Sequence, residues 1–154
     1  MTPQERELLA HLLREQRVTA LSVQVDDAPH AGLLPFAFAP GGDALLVHAS
    51  GLARHSGGLG DDRAYAALIH MPDSPDLDPL QIPRLTVSGV SARLSRGTDA
   101  YDAARDAYLA KFPGSAMTFQ LGDFNLYGLN IAKARFVLGF GRALNVKPET
   151  LRDL

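Results

Sequence analysis

Residues 18–50 read VTALSVQVDDAPHAGLLPFAFAPGGDALLVHAS. Val18–Val25 alternates apolar and polar side chains, the period of a strand with one buried face. Asp26, Asp27, Ala28 and Pro29 supply a turn, and residues 31–39 a second strand. Pro40, Gly41, Gly42 and Asp43 then turn the chain into a third strand, ALLVHAS. Strands joined by turns this short pair antiparallel, because a parallel pair needs a crossover of about a dozen residues or more. The rest of the chain agrees. Residues 63–71 and 83–95 read as two further strands, with Gly89 marking a bulge or bend in the second. Residues 123–131 and 134–144 read as two more strands, joined tightly. Helices flank and interrupt this set. Thr2, Pro3 and Glu5 form a helix start with a capping box, followed by a stripe of Leu8, Leu9, Leu12 and Leu13. Thr98 caps a second helix over residues 98–112, with Tyr101, Ala104, Tyr108 and Phe112 on one face. Residues 50–60 read as one short helix. The prediction is a single domain over residues 1–154: a mainly β, α+β fold built on a small antiparallel barrel with helices plugging its ends.

Composition narrows the function classes. The chain has 154 residues, enough for one domain with a real core. A net charge of −2 gives no bulk attraction to nucleic acid or membrane. The absence of cysteine excludes disulfides, thiolate metal sites and cysteine nucleophiles. MTPQERELLAHLLREQ carries no apolar signal block, and no apolar run reaches the ~18 residues of a membrane span, so a cytoplasmic protein is expected. No GxGxxG joins a strand to a helix, and no HExxH or GxSxG occurs.

The segment with chemistry is LLVHASGLARHSGGL, residues 45–59. In one reading the strand ends at Ser50 and the backbone amides of the next turn, with Ser50, Arg54 and His55, form a cradle for a phosphorylated cofactor. In the other, Ser50 caps the turn, Leu52 and Leu59 pack, and Arg54 is a solvated charge; the local pattern leans to this one. His11 and His30 read as surface residues and His70 as a core or rim residue. The acidic pairs Asp26–Asp27 and Asp61–Asp62 suit turns better than paired catalysis.

Three longer blocks carry a family resemblance: LLPFAF, VHASGLARHSGGL and LGDFNLYGLNIAKARFVLGFGRA, with the Arg-Leu pair of PRLTVSG beside them. They resemble the FMN-binding split-barrel superfamily, which includes pyridoxamine 5′-phosphate oxidase, and most of all its HugZ-like haem-utilisation branch. The resemblance spans nearly the whole chain. It implies a six-stranded antiparallel split β-barrel, dimeric, with two equivalent cofactor sites at the subunit interface. By this likeness an FMN phosphate falls at Ser50, Arg54 and His55. The ring system lies along Leu33, Leu34 and Pro35 and along Val47 and His48, with Arg84 adding positive charge and Gln81 close by. Haem-degrading members resemble this chain at His55, Arg84 and Asp123, but ligate iron through a histidine in a C-terminal extension. Here no histidine follows His70, so a haem ligand is expected from His48, His55 or His70. Oxidation of a B6 vitamer is not expected, because the chain lacks tryptophan and an arginine-rich end. Three functions follow: an FMN-binding oxidoreductase of unknown substrate, a haem-binding or haem-degrading protein, and a non-catalytic dimeric module.

Overall fold

A computed structural model describes residues 1–154. Helix α1 (Pro3–Arg14) begins as its sequence dictates. The Thr2 hydroxyl accepts from the Glu5 amide at 3.2 Å, and the Glu5 carboxylate accepts from the Thr2 amide at 2.8 Å. Its Leu9, Leu12 and Leu13 are fully buried inside the curled sheet, beside Leu21, Phe36, Ile69, Leu85 and Phe136. Strands β1 (Val18–Val25), β2 (Ala28–Pro35), β3 (Ala37–Phe38), β4 (Ala44–Ser50), β5 (Arg63–His70), β6 (Arg84–Leu94), β7 (Phe124–Gly139) and β8 (Arg142–Val146) follow, all pairs antiparallel. The hydrogen-bonded order is β2-β1-β5-β6-β7-β4-β3, with β8 on β7. This path is open, yet its two end strands are consecutive in the chain with only Phe36 between them, so the sheet curls round on itself.

Eight strands stand in place of the six that the resemblance implies and the seven segments read along the chain: one segment splits in two, and one boundary moves. Residues 31–39 do not form one strand. Pro35 has no N–H, and at Phe36 the chain leaves β1 and turns its fully buried ring into the core, so that β3 pairs β4 instead. Residues 123–131 and 134–144 likewise do not divide where expected. Ala132 and Lys133 carry no turn chemistry, and β7 runs unbroken through them for 16 residues. The reversal comes later, in the Gly139-Phe140-Gly141 segment, where Gly141 has φ +79°. The bulge expected at Gly89 is present, as a register shift between Ser88 and Gly89 against β7.

Helix α2 (Asp99–Lys111) covers the outer face of β4 and β7. Its Tyr101, Ala104, Tyr108 and Phe112 bury against Ala37, Leu46 and Leu126 in a second, smaller cluster. A short helix α3 (Pro148–Arg152) seats Leu151 in the main core. No helix is long and apolar enough to cross a membrane.

Candidate functional site

Strand β4 runs into the site. Its last residue, Ser50, pairs Phe124 at the start of β7, and the Gly51 amide donates to the Asp123 carbonyl at 2.6 Å. The Ser50 hydroxyl donates to Asp123 Oδ2 at 2.8 Å and accepts from the Leu52 amide at 3.1 Å. The expected helix over residues 50–60 is only a 3-10 turn, Arg54–Gly58. Four glycines within residues 50–60 disfavour a longer helix. The turn is fixed at both ends. Ser56 donates to the Ser50 carbonyl at 2.6 Å, while Gly58 packs so tightly that a Cβ there would meet Val23 at 2.6 Å. Leu59 buries, but Leu52 is 89% exposed and packs on nothing.

The turn brings Arg54 and His55 over the β1–β2 hairpin. Asp26 and Asp27 take positive φ at its tip, and Arg54 reaches Asp26 at 3.6 Å with both side chains largely exposed. The His55 ring lies directly on Gly32 of β2, where a Cβ would come 2.9 Å from Nδ1. Partial burial, with His30 close by, holds the His55 imidazole below its ordinary pKa. It therefore stands neutral at pH 7, as a metal-ligating or hydrogen-bonding imidazole must.

The other candidate residues are dispersed. Leu33 is 69% exposed and Pro35 is also exposed, both on the outer side of β2, whereas Leu34 and Val47 are core residues. His48 is buried in the second cluster. It stacks on Phe119 at 3.8 Å between ring centroids and lies near Tyr108 and Phe124. Burial, aided by Arg96, pushes its imidazole down to about 4. Gln81 and Arg84 sit at the opposite end of the sheet. Arg84 pairs His70 and Val137 and donates to the Leu80 and Ile82 carbonyls at 3.3 and 3.1 Å. The eleven residues of β6 set it about 30 Å from the strand end beside Ser50. Within one chain, then, the structure gathers Ser50, Arg54 and His55 but not Arg84 or Gln81. His70 is exposed at that far end, its Nδ1 2.7 Å from the Met71 carbonyl.

Three residues gain a place that the sequence reading had not given them. Asp26 pairs Arg54, His30 flanks His55 and Gly32 makes room for it. Gly32 did leave a signal, since a lone glycine within a strand pattern marks close approach of another group.

The geometry bears on what the site accepts. A phosphate at Ser50 would face the Asp123 carboxylate, which already takes the hydroxyl's hydrogen. A neutral imidazole on a glycine platform, with a guanidinium next to it, suits a metal-bearing anion.

No family model matches the sequence, and no curated protein does. Solved structures do. The haem-binding protein from Mycobacterium smegmatis superposes with a TM-score of 0.85 at 25% identity, over 99% of this chain and 62% of that one. ChuZ from Campylobacter jejuni gives a TM-score of 0.79 at 20% identity, over 97% and 61%. The FAD- and haem-binding protein from M. smegmatis gives 0.67 at 21% identity, over 96% and 77%. The chain thus spans about three fifths of the length of the first two. Its fold is that of the pyridoxamine 5′-phosphate oxidase-like split barrels, and the structures it resembles include two described as haem-binding, in keeping with the branch its sequence blocks resemble.

Proposed function

We propose that this chain binds haem as a two-fold dimer. The observation that carries the reading is His55, a neutral and partly exposed imidazole on Gly32 beside the exposed Arg54. Of the three histidines expected from the sequence, His48 is walled in by aromatic rings and His70 lies at the far end of β5. His55 alone combines access with a place at the Arg54 turn. In this reading His55 would hold the iron and Arg54 would pair a propionate. Bound haem would supply the iron chemistry, and the protein its orientation and charge. The test is a haem titration followed by absorbance. A sharp Soret band that disappears in His55→Ala supports the assignment. A broad free-haem spectrum in the wild-type protein overturns it.

Flavin is the second reading, favoured by the Arg54 fork at a glycine-rich turn and by a neighbour that binds both FAD and haem. FMN would make the protein a flavin oxidoreductase of unidentified substrate. The Asp123 carboxylate beside Ser50 weighs against phosphate there. Retention of FMN with quenched fluorescence, together with no Soret band, would reverse the order of the two readings.

The outer face of β1, β2, β5 and β6 supports dimerisation. Ala20, Ser22, Leu33, Ala66, Leu68 and Val90 lie together there by register and carry no charge; Leu33 and Val90 are 69% and 40% exposed. A sheet patch of small and apolar side chains fits a second copy of itself. Burial of more than ~2,000 Å² is expected for a permanent dimer. Light scattering should give twice 16.5 kDa, and Leu68→Arg should give monomers. A folded wild-type monomer at micromolar concentration overturns the dimer.

A further inference from the structure

A cavity of about 590 Å³ shares no residue with the His55 turn. It lies where the C-terminal end of α1, the short strand β3, α2 and α3 meet. Phe38 of β3 and Ala107 and Ala110 of α2 give it apolar walls. One wall is locked in place, because a Cβ at Gly42, whose φ is +68°, would strike the Arg152 Cα at 2.6 Å. Its volume falls within the range of about 300–1,000 Å³ typical of small-molecule sites.

The rim is cationic in a chain whose net charge is −2. Lys111, Arg152 and Arg14 face the cavity with a single acid, Glu15. The ion pairs of the protein involve only Arg54, Arg105 and Arg142, so none of these three cations has a carboxylate side chain within reach. Arg14 is engaged with the Leu154 main-chain oxygen at 2.8 Å. Lys111 Nζ donates to the Gln16 carbonyl at 2.5 Å and lies 4.2 Å from the Phe36 ring centroid. That contact uses one of its three hydrogens. Burial brings the ammonium down to about 8, with Glu15 opposing and Arg17 adding to the shift. A half-buried cation without an acid partner, above an apolar wall, is costly unless something pairs it.

We propose that this cavity is a second ligand site, built for a small carboxylate with an apolar tail, whose head group lies between Lys111 and Arg152 and whose tail runs along Phe38, Ala107 and Ala110. A monoanion matches the two open donors of Lys111 and the fork of Arg152, and Glu15 on the same rim repels it less than it would a phosphate dianion.

Competitive acetylation tests this on the full chain. The protein has three lysines, and the exposed Lys133 and Lys147 serve as internal references for Lys111. Near pH 8 acetic anhydride modifies the free amine, and peptide mass spectrometry reads each site. Saturating octanoate should slow Lys111 acetylation about fivefold or more, since only the unliganded fraction reacts. Lys133 and Lys147 should be unaffected. Arg152→Gln, at an exposed position, should keep the wild-type melting temperature and lose most of that protection. Absence of protection by octanoate overturns the site. Equal protection by acetate, or protection by inorganic phosphate in place of octanoate, overturns the apolar-tail assignment. Full protection in Arg152→Gln overturns the head-group assignment.

Discussion

Replacing His48 by phenylalanine should remove a defined acid sensitivity from this protein. The His48 side chain is 6% exposed, and its Nε2 has no hydrogen-bond partner. The Thr118 hydroxyl gives its one hydrogen to the Ser115 carbonyl at 2.8 Å, so it accepts from His48 Nδ1 at 3.2 Å. The bare nitrogen is therefore Nε2, the one that would take up a proton, and it faces no acceptor. The folded pKa lies at about 4 against an ordinary 6.5. Between those values the unfolded chain binds a proton that the native state refuses. Stability is intact above about 6.5, falls as the pH descends and levels off below about 4. Each pH unit in that window is worth about 1.4 kcal/mol, so about 2 kcal/mol is lost by about pH 5 and about 3 by about pH 4. Phenylalanine keeps the stack on Phe119 and gives up the Thr118 contact, so at neutral pH the change should stay within about 1 kcal/mol. Urea unfolding of both proteins at several pH values measures this. The wild-type-minus-variant difference cancels the carboxylate contributions common to both. Parallel pH profiles for the two proteins would refute the reasoning, because they would mean that His48 takes up its proton in the folded state as readily as in the unfolded one.

Gly32→Ala meets only the movable His55 ring, at 2.9 Å, so it should cost under about 1 kcal/mol yet shift or abolish the haem Soret band; thermal melts and a haem titration check the two halves. Gly89→Ala is different in kind. Its Cβ would lie 2.0 Å from the Asn130 carbonyl oxygen, backbone that cannot move without breaking the bulge. The variant should lose more than about 3 kcal/mol, and wild-type stability in urea would overturn the bulge assignment. Thr2→Ala removes the capping box of α1 and should cost about 1 kcal/mol by the same measurement, with Thr2→Ser close to wild type.

Local patterns were enough for much of the fold. The alternation of Val18–Val25, the capping residues at Thr2 and Thr98, the aromatic face of α2 and the glycine at the β6 bulge are each written within a few residues, because period and cap chemistry are local properties. The sequence also determined that strands joined by tight turns pair antiparallel, and it marked Ser50, Arg54 and His55 as one cluster. Tertiary structure decided the rest. Strand β4 is buried on both faces, since the barrel core takes Leu45 and Val47 while α2 and the 3-10 turn Pro113–Gln120 cover Leu46 and His48. No period within ALLVHAS tells an enclosed histidine from one that lines a site. The break at Phe36 depends on the sheet curling until β3 meets β4, a long-range event that a nine-residue apolar run does not announce. The same holds for function. His55 is held neutral by Gly32 and His30, from a strand some 23 to 25 positions away in sequence. Within one chain Arg84, which family likeness placed with the same site, lies at the opposite end of β6 from Ser50, because strand register, not residue identity, fixes which side chains share an end.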